Sequence, residues 1–410
     1  MTKEKLSGRA FYESLGSPKK IVAPMVDHSE LAWRRLSKKY GADLSYSPML
    51  HARLFAENEK YRQQNLSEMD GDVEKDRPLI IQFCANDPQF LLAAAKLVED
   101  KCDAVDLNLG CPQGIARRGH YGSFLQDEWD LVYKLINNLH KNLSIPVTAK
   151  IRVFESKEKT LKYAKMILSA GAQFLTVHGR TREMKGQQTG FADWEAIRYL
   201  RDNLPPETVI FANGNILYQE DIARCLEATG ADAVMSAEAN LYNPAIFNVP
   251  VNYSTSIPQL EDVDRLFPRL DRISREYVEF VKSSPGEISF TTCKSHLFKL
   301  FRPFLPIHTN VRDTLAKCGR GSTIEDYERL VEQVHEIIED LLKIEENKKL
   351  DTVTRSDISL DETGAVYKQI PYWRAQPYFR KVSGKVLIGT GEKRALEEKF
   401  DESQAKKEKT

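Results

Sequence analysis

Nowhere in the chain do about 18 apolar residues run together, and the first twenty, MTKEKLSGRAFYESLGSPKK, lack the apolar centre of a signal peptide. A soluble intracellular protein is expected, cytoplasmic or nuclear, with no membrane partner. The six cysteines, Cys84, Cys102, Cys111, Cys225, Cys293 and Cys318, are scattered. With no C-x-x-C and no histidine pair at metal spacing, neither a disulfide framework nor a metal site is indicated. Net charge is missing too, since 59 Lys and Arg balance 59 Asp and Glu. The molecule as a whole therefore does not attract nucleic acid, although local basic patches stay open to it. No G-x-G-x-x-G follows the first apolar run, which weakens a dinucleotide-binding doubly wound sheet.

Short β-branched and apolar runs are plentiful: IVAPMV, LSYSPML, LIIQFCA, AVDLNLG, VTAKIRV, FLTVHGR, VIFANGN and AVMSAEA, between residues 21 and 239. Each is continuous rather than alternating, as in parallel strands covered on both faces, and most are separated by stretches with helical spacing. Glycines at 41, 171 and 230 close a helix just before a strand. The pattern predicts a (β/α)8 barrel over residues 1–250. Beyond Pro250, Leu266, Leu270, Ile273, Tyr277 and Phe280 recur at helical spacing, as do Leu330, Val334, Ile337, Ile338 and Leu341. Ser322 and Glu325 read as a capping box for the last helix. Residues 255–345 are thus expected to form an appended C-terminal helical bundle. The extension 346–410 is expected to be partly disordered, its last twenty residues being a solvated charge run.

Barrel enzymes carry their reactive groups at the C-terminal ends of strands. Here those ends hold Pro24, Met25 and Val26; Gln82; Asn108 to Cys111; Lys150 and Arg152; and His178 and Arg180. Polar groups inside apolar runs cost free energy unless something satisfies them. Singly, Gln82 also suits a backbone partner and His178 a hydrogen-bonded core histidine. Five strands doing this together point to a site. Strands seven and eight end in Asn213, Gly214 and Asn215 and in Ala237 and Glu238, where small residues let backbone N–H groups approach a phosphate. Gly214 also fits an ordinary tight turn. Cys111, before Pro112 in a glycine-flanked loop, is a candidate acid or nucleophile. Free cysteine is commonly a small hydrophobe, so position carries the argument. A thiol of ordinary pKa, about 8.5, is mostly protonated at neutral pH and can donate a proton.

APMV (23–26), LNLGCP (107–112), TAKIR (148–152), VHGRTR (177–182), ANGNI (212–216) and NPAIF (243–247) together resemble the dihydrouridine synthases, over roughly residues 18–345. RRGHYGSFL (117–125) and SHLFKLFRPFL (295–305) resemble the eukaryotic type-1 branch, which acts on uridines 16 and 17 of the transfer-RNA D-loop. The resemblance implies an FMN-binding barrel with a helical RNA-binding domain. NADPH, or NADH in its place, would reduce FMN. Reduced flavin would pass a hydride to carbon 6 of uracil, and Cys111 would protonate carbon 5. Pro24, Met25 and Val26 would wrap the flavin ring, and Gln82 would bond its polar edge. Asn108 would belong to the cofactor site. Lys150 would lie where negative charge collects, and His178 would help hold the cofactor. Asn213, Gly214, Asn215, Ala237 and Glu238 would receive the phosphate. One departure stands out: many members of the family have Gly-Arg where this chain has Ala237-Glu238, and a glutamate there repels a phosphate unless it turns away.

For RNA, the candidate cations are Arg117, Arg118, Arg180, Arg182, Lys185, Lys294, Lys299 and Arg302, each of which also suits a solvated face. The segment YKQIPYWRAQPYFRK (367–381) interleaves aromatics with cations, which suits base stacking or packing back onto the barrel. A monomer is expected. Two other readings share parts of this pattern. A small-molecule FMN oxidoreductase of the dihydropyrimidine or dihydroorotate type would not need Lys294, Lys299 and Arg302. A flavin-less barrel serving as an RNA-binding module would be colourless.

Overall fold

Each of the eight apolar runs contains a strand in the computed structural model, which describes residues 5–186, 189–255, 258–285, 289–359 and 366–378. The strands are β1 (Lys20–Val22), β2 (Leu44–Tyr46), β3 (Leu79–Cys84), β4 (Ala104–Leu109), β5 (Val147–Arg152), β6 (Phe174–His178), β7 (Val209–Asn213) and β8 (Ala233–Ser236). All pair in parallel with their neighbours, and β1 closes the ring on β8 with Ile21 opposite Met235. A two-residue strand, Leu50–His51, adds to the upper edge of β3, with His51 opposite Cys84. This is a closed (β/α)8 barrel with its helices outside.

Local chemistry explains the connections. Asp87, Ser156 and Asp193 cap the helices Pro88–Lys96, Lys157–Ser169 and Trp194–Asn203 by accepting from the backbone N–H groups of the first turn. The acids in the lead-ins to strands serve structure: Asp43 accepts from the backbone of Lys19 and Lys20, Asp103 from Leu79, and Asp232 from Ile210. Each carboxylate thereby pins the start of a neighbouring strand. Helix Gly8–Ser14 covers the lower end, where Phe11 stacks on Phe174.

The bundle consists mainly of helices Leu270–Lys282, Phe290–Leu300, Thr309–Lys317 and Ile324–Leu342. Its core of Ile273, Tyr277, Leu297, Leu300, Leu330, Val334 and Ile338 continues into Trp33 and Leu36 of the barrel helix Leu31–Lys39. The capping box lies one residue later than expected, on Thr323 and Asp326. Ser322 instead accepts from the Gly319 backbone, which closes the preceding turn. Within the extension, strands Thr354–Ser359 and Val366–Gln369 form an antiparallel hairpin. Trp373 and Arg374 then pack inward: Arg374 donates to Asp351 and Asp264, and Trp373 to Asp351. For these two residues, packing is what the structure shows. The charge run 391–410 and residues 379–381 lie outside the described residues.

Candidate active site at the barrel mouth

Alternation along a strand sends every second side chain into the barrel, and those inward positions change character from bottom to top. Ile80 gives way to Gln82, Ala104 to Asp106 and Asn108, Phe174 to Thr176 and His178, and Val209 and Phe211 to Asn213. On β5 the inward series is Thr148, Lys150, Arg152. The lower barrel is therefore a packed apolar plug, and the upper barrel collects polar groups from five adjacent strands.

These groups interlock. Thr148 Oγ1 and Gln82 Nε2 donate to the buried Asp106 carboxylate, at 2.7 and 2.8 Å. Gln82 Oε1 accepts from Asn108 Nδ2 at 2.8 Å, and Asn108 Oδ1 accepts from the backbone N–H of Gly110 and of Cys111, at 3.2 and 2.9 Å. A continuous buried relay thus runs from β5 to the cysteine loop and fixes its backbone. Burial pushes the Asp106 carboxyl up to about 6, against the hydrogen bonds from Gln82 and Thr148. From the other side, Ser123 donates backbone and hydroxyl bonds to the Cys111 carbonyl at 3.1 and 3.0 Å. Gly122 permits that approach: φ is +67°, and a Cβ there would lie 2.8 Å from the Cys111 oxygen. Cys111, alone of the six cysteines, is not fully buried.

A second group is cationic. Lys150 Nζ donates to Asn213 Oδ1 at 2.9 Å, and burial, helped by Arg152, lowers its ammonium to about 8. Arg152 donates to the carbonyls of Thr181 and Met184, which holds the loop after β6. Arg180 lies 3.0 Å from His178 Nε2. A guanidinium only donates, so Nε2 accepts and the imidazole carries its proton on Nδ1. Burial, followed by Lys150, Arg152 and Arg180, holds the His178 pKa well below its usual value. Neutral His178 ringed by three cations, with amides beside it, is a donor set suited to an anionic, amide-bearing ligand.

The remaining expected cofactor positions border this cluster. Pro24 and Met25 are partly buried and Val26 is exposed, on the loop leaving β1. Gly214, at φ +117°, packs on the His178 ring, and a Cβ would meet Ala192 at 2.5 Å. The Asn215 side chain bonds both backbone groups of Ala192 and accepts from Arg180 at 3.1 Å. Asn213 Nδ2 donates to the Met235 carbonyl, and Ala237 and Glu238 sit partly buried just past β8. Asn108 and Asn215 therefore organise loops at the mouth.

Among the candidate RNA contacts, Arg117 and Arg118 are exposed beside the cysteine loop. Arg117, Phe124, Arg182, Glu183 and Lys185 line a groove of about 470 Å³. Lys185 donates to the Pro112 carbonyl and Arg182 to Asp127 and the Ser123 carbonyl. Arg302 lies over the Tyr378 ring at 3.5 Å, and Lys294 donates to the Ala316 carbonyl at a helix end. Lys299 is partly buried and donates to His28 Nε2 at 2.6 Å, while His28 Nδ1 bonds the Val26 carbonyl at 2.9 Å. The bundle thereby props the β1 loop.

Sequence reasoning missed Asp106, whose signal was an acid inside the apolar run AVDLNLG. It also missed the seam between barrel and bundle. There His296 bonds Glu30 at 3.0 Å and stacks on Trp33, and Tyr277 donates to the same carboxylate at 3.0 Å. Burial pushes the Glu30 carboxyl up, but His296 and Tyr277 more than offset it and hold it below the usual range. Among the described residues, no helix is long and apolar enough to cross a membrane.

A model of the family "Dihydrouridine synthase (Dus)" matches residues 21–337. The chain is 57% identical to the Saccharomyces cerevisiae protein named tRNA-dihydrouridine(16/17) synthase [NAD(P)(+)], over 99% of this chain and 93% of that one. It is 48% identical to the Schizosaccharomyces pombe protein of the same name, over 99% and 98%. With a Mus musculus protein named tRNA-dihydrouridine(16/17) synthase [NAD(P)(+)]-like the identity is 43%, over 96% and 76%. On a match that spans the barrel and most of the bundle, and on relatives aligned over nearly the whole chain, this protein belongs to the dihydrouridine synthase family.

Proposed function

We propose that the chain reduces uridine to 5,6-dihydrouridine in the D-loop of transfer RNA, at positions 16 and 17, using FMN and a nicotinamide dinucleotide, NADPH or NADH, as reductant. FMN, when bound and reduced by the nicotinamide, would supply hydride chemistry for carbon 6 of the base. Pro24, Met25, Val26, Gln82, Lys150, His178, Asn213 to Asn215, Ala237 and Glu238 would hold it. The donor set fits, since Lys150 offers positive charge and Gln82 and Asn213 offer amides at the mouth.

The observation that carries the reading is the position of Cys111. Its backbone is clamped from below by Asn108 and from above by Ser123, at the C-terminal end of β4. That arrangement suits delivery of the thiol proton to carbon 5, leaving a thiolate that takes a proton from water. His178 is a poor alternative donor, because burial and three neighbouring cations keep its ring neutral. Lys150 supplies positive charge where the reacting system gains electrons. Uracil stacked in a loop must first be turned out to reach the mouth. Arg117, Arg118, Arg182 and Lys185 beside the cysteine loop, with Lys294 and Arg302 on the bundle, are suited to grip the surrounding phosphates. All these residues come from one chain, so a monomer suffices, acting in the cytoplasm or nucleus where transfer RNA is found.

The test is incubation of the purified protein with FMN, NADPH and either unmodified transfer RNA or free uracil. Dihydrouridine in the RNA is expected. Reduction of free uracil with the RNA left untouched would make the chain a small-molecule reductase.

A further inference from the structure

The groove lined by Arg117, Phe124, Arg182, Glu183 and Lys185 adjoins the cysteine loop, and its volume of about 470 Å³ suits one small ligand group. One wall is the helix Gly114–Gly119 with the turn Gly122–Leu125, which carry Arg117 and Phe124. Ser123 of that turn is the residue that clamps the Cys111 carbonyl, so Phe124 stands one residue from a direct tie to the thiol's backbone. The other wall is the loop after β6. Arg152 holds it through the carbonyls of Thr181 and Met184, and Lys185 and Arg182 bridge back to the carbonyls of Pro112 and Ser123. Both walls are thus fastened to the segment that carries Cys111.

Phe124 is the aromatic side chain among the five. It packs against the small cluster of Cys84, Ala116 and Tyr121 yet stays partly exposed in the groove. Arg182 and Lys185 stand 5.8 and 6.0 Å from the ring centroid, beyond carbon contact distance. An aromatic face ringed by cations is a platform on which any base can stack. A phosphate sits better at the rim than inside, where the Glu183 carboxylate, held by Arg182, repels it. Arg117 and Lys185, both exposed, supply that rim.

Resting on the RNA reading above, we propose that this groove is a subsite for the nucleotide adjoining the target uridine in the same strand. Its base stacks on Phe124, and Arg117 and Lys185 hold its phosphate. The neighbour in the strand can reach the groove because Lys185 joins the groove wall to Pro112, the residue after Cys111. Turning the uracil out of its loop breaks its stacking with that neighbour. A new stacking partner on the protein offsets part of this cost and keeps the strand open at the mouth.

The test measures kcat/KM for dihydrouridine formation in transfer RNA with one target uridine, intact or with an abasic site replacing either neighbouring base. For wild type, the abasic site on one side is expected to lower kcat/KM about 5- to 150-fold, the scale of one stacked base. Phe124→Leu, which keeps apolar packing but has no ring, should lose a similar factor on intact RNA. The same abasic site should then cost this variant about twofold or less, with flavin content and thermal midpoint near wild type. Phe124→Tyr should behave as wild type. Arg117→Gln should weaken intact and abasic substrates alike, as expected of a phosphate contact. An abasic site that costs wild type nothing on either side would overturn the proposal without any variant. So would equal losses in wild type and Phe124→Leu. Wild type that left the intact RNA unmodified would overturn the activity reading itself, and this inference with it.

Discussion

The two halves of the barrel interior are built on the same eight strands, yet they do opposite things. Below, Ile21, Ile80, Phe174, Val209 and Phe211 fill the space with apolar volume that needs no partner. Above, Gln82, Asp106, Asn108, Lys150 and His178 are enclosed in a setting where each polar group must find a bond or lose stability. The lower half stabilises the fold. The upper half stores polar groups that are poorly solvated, bonded mainly to one another, and therefore poised for a ligand. On β3, β4, β6 and β7 the change occurs within one or two inward positions.

The comparison is broken most sharply by one residue from each half. Cys111→Ala should slow dihydrouridine formation about 100- to 10,000-fold, the range for a positioned general acid. Flavin binding, flavin reduction by NADPH and the thermal midpoint should stay near wild type; turnover at the wild-type rate would remove Cys111 from the chemistry. Phe211→Ala should do the reverse. The ring packs 4.5 Å from that of Phe174, and its loss should cost about 3–5 kcal/mol in urea unfolding, with the rate per folded molecule little changed.

Asp106→Leu joins the two halves. It leaves the Gln82 amide and Thr148 hydroxyl without their acceptor, at about 1–3 kcal/mol, and loosens the relay to the cysteine loop, so stability and rate should fall together. A fall in stability alone would uncouple the relay from Cys111.

The smallest expected effect is a pH dependence. The Lys150 ammonium is lowered to about 8 by burial and Arg152. Unfolded, it keeps its proton up to about 10.4. Between those values the unfolded chain binds more protons, so the folded state gains stability as pH rises. Flavin-free wild type should therefore gain on Lys150→Met in thermal midpoint from about pH 8 to 10. A gap that is flat with pH would mean that Lys150 is well solvated.

The barrel was legible because parallel strands covered on both faces read as continuous apolar runs, and all eight runs contain strands. The polar strand ends were legible for the same reason, as interruptions in those runs. Asp106 was hidden because a single acid in AVDLNLG gives no hint that Gln82 and Thr148 reach it from neighbouring strands. The two-residue strand at Leu50–His51 is too short to leave a period. The capping box slipped by one residue because Ser322 and Thr323 are both good caps, and only the turn geometry at Gly319 assigns Ser322 elsewhere. In the extension, aromatics interleaved with cations suit stacking on bases or burial against protein equally. Asp351 and Asp264, distant in sequence from Arg374, decided for burial at that residue.

The account turns on whether the mouth of this barrel reduces uridine in RNA through Cys111. The most direct measurement is single-nucleotide mapping of dihydrouridine in D-loop transfer RNA after incubation with FMN, NADPH and either wild type or Cys111→Ala. Dihydrouridine at positions 16 and 17 with wild type, and almost none with the variant at the same time point, is the predicted result. Equal modification by both proteins, or none by wild type despite bound flavin that NADPH reduces, would contradict it.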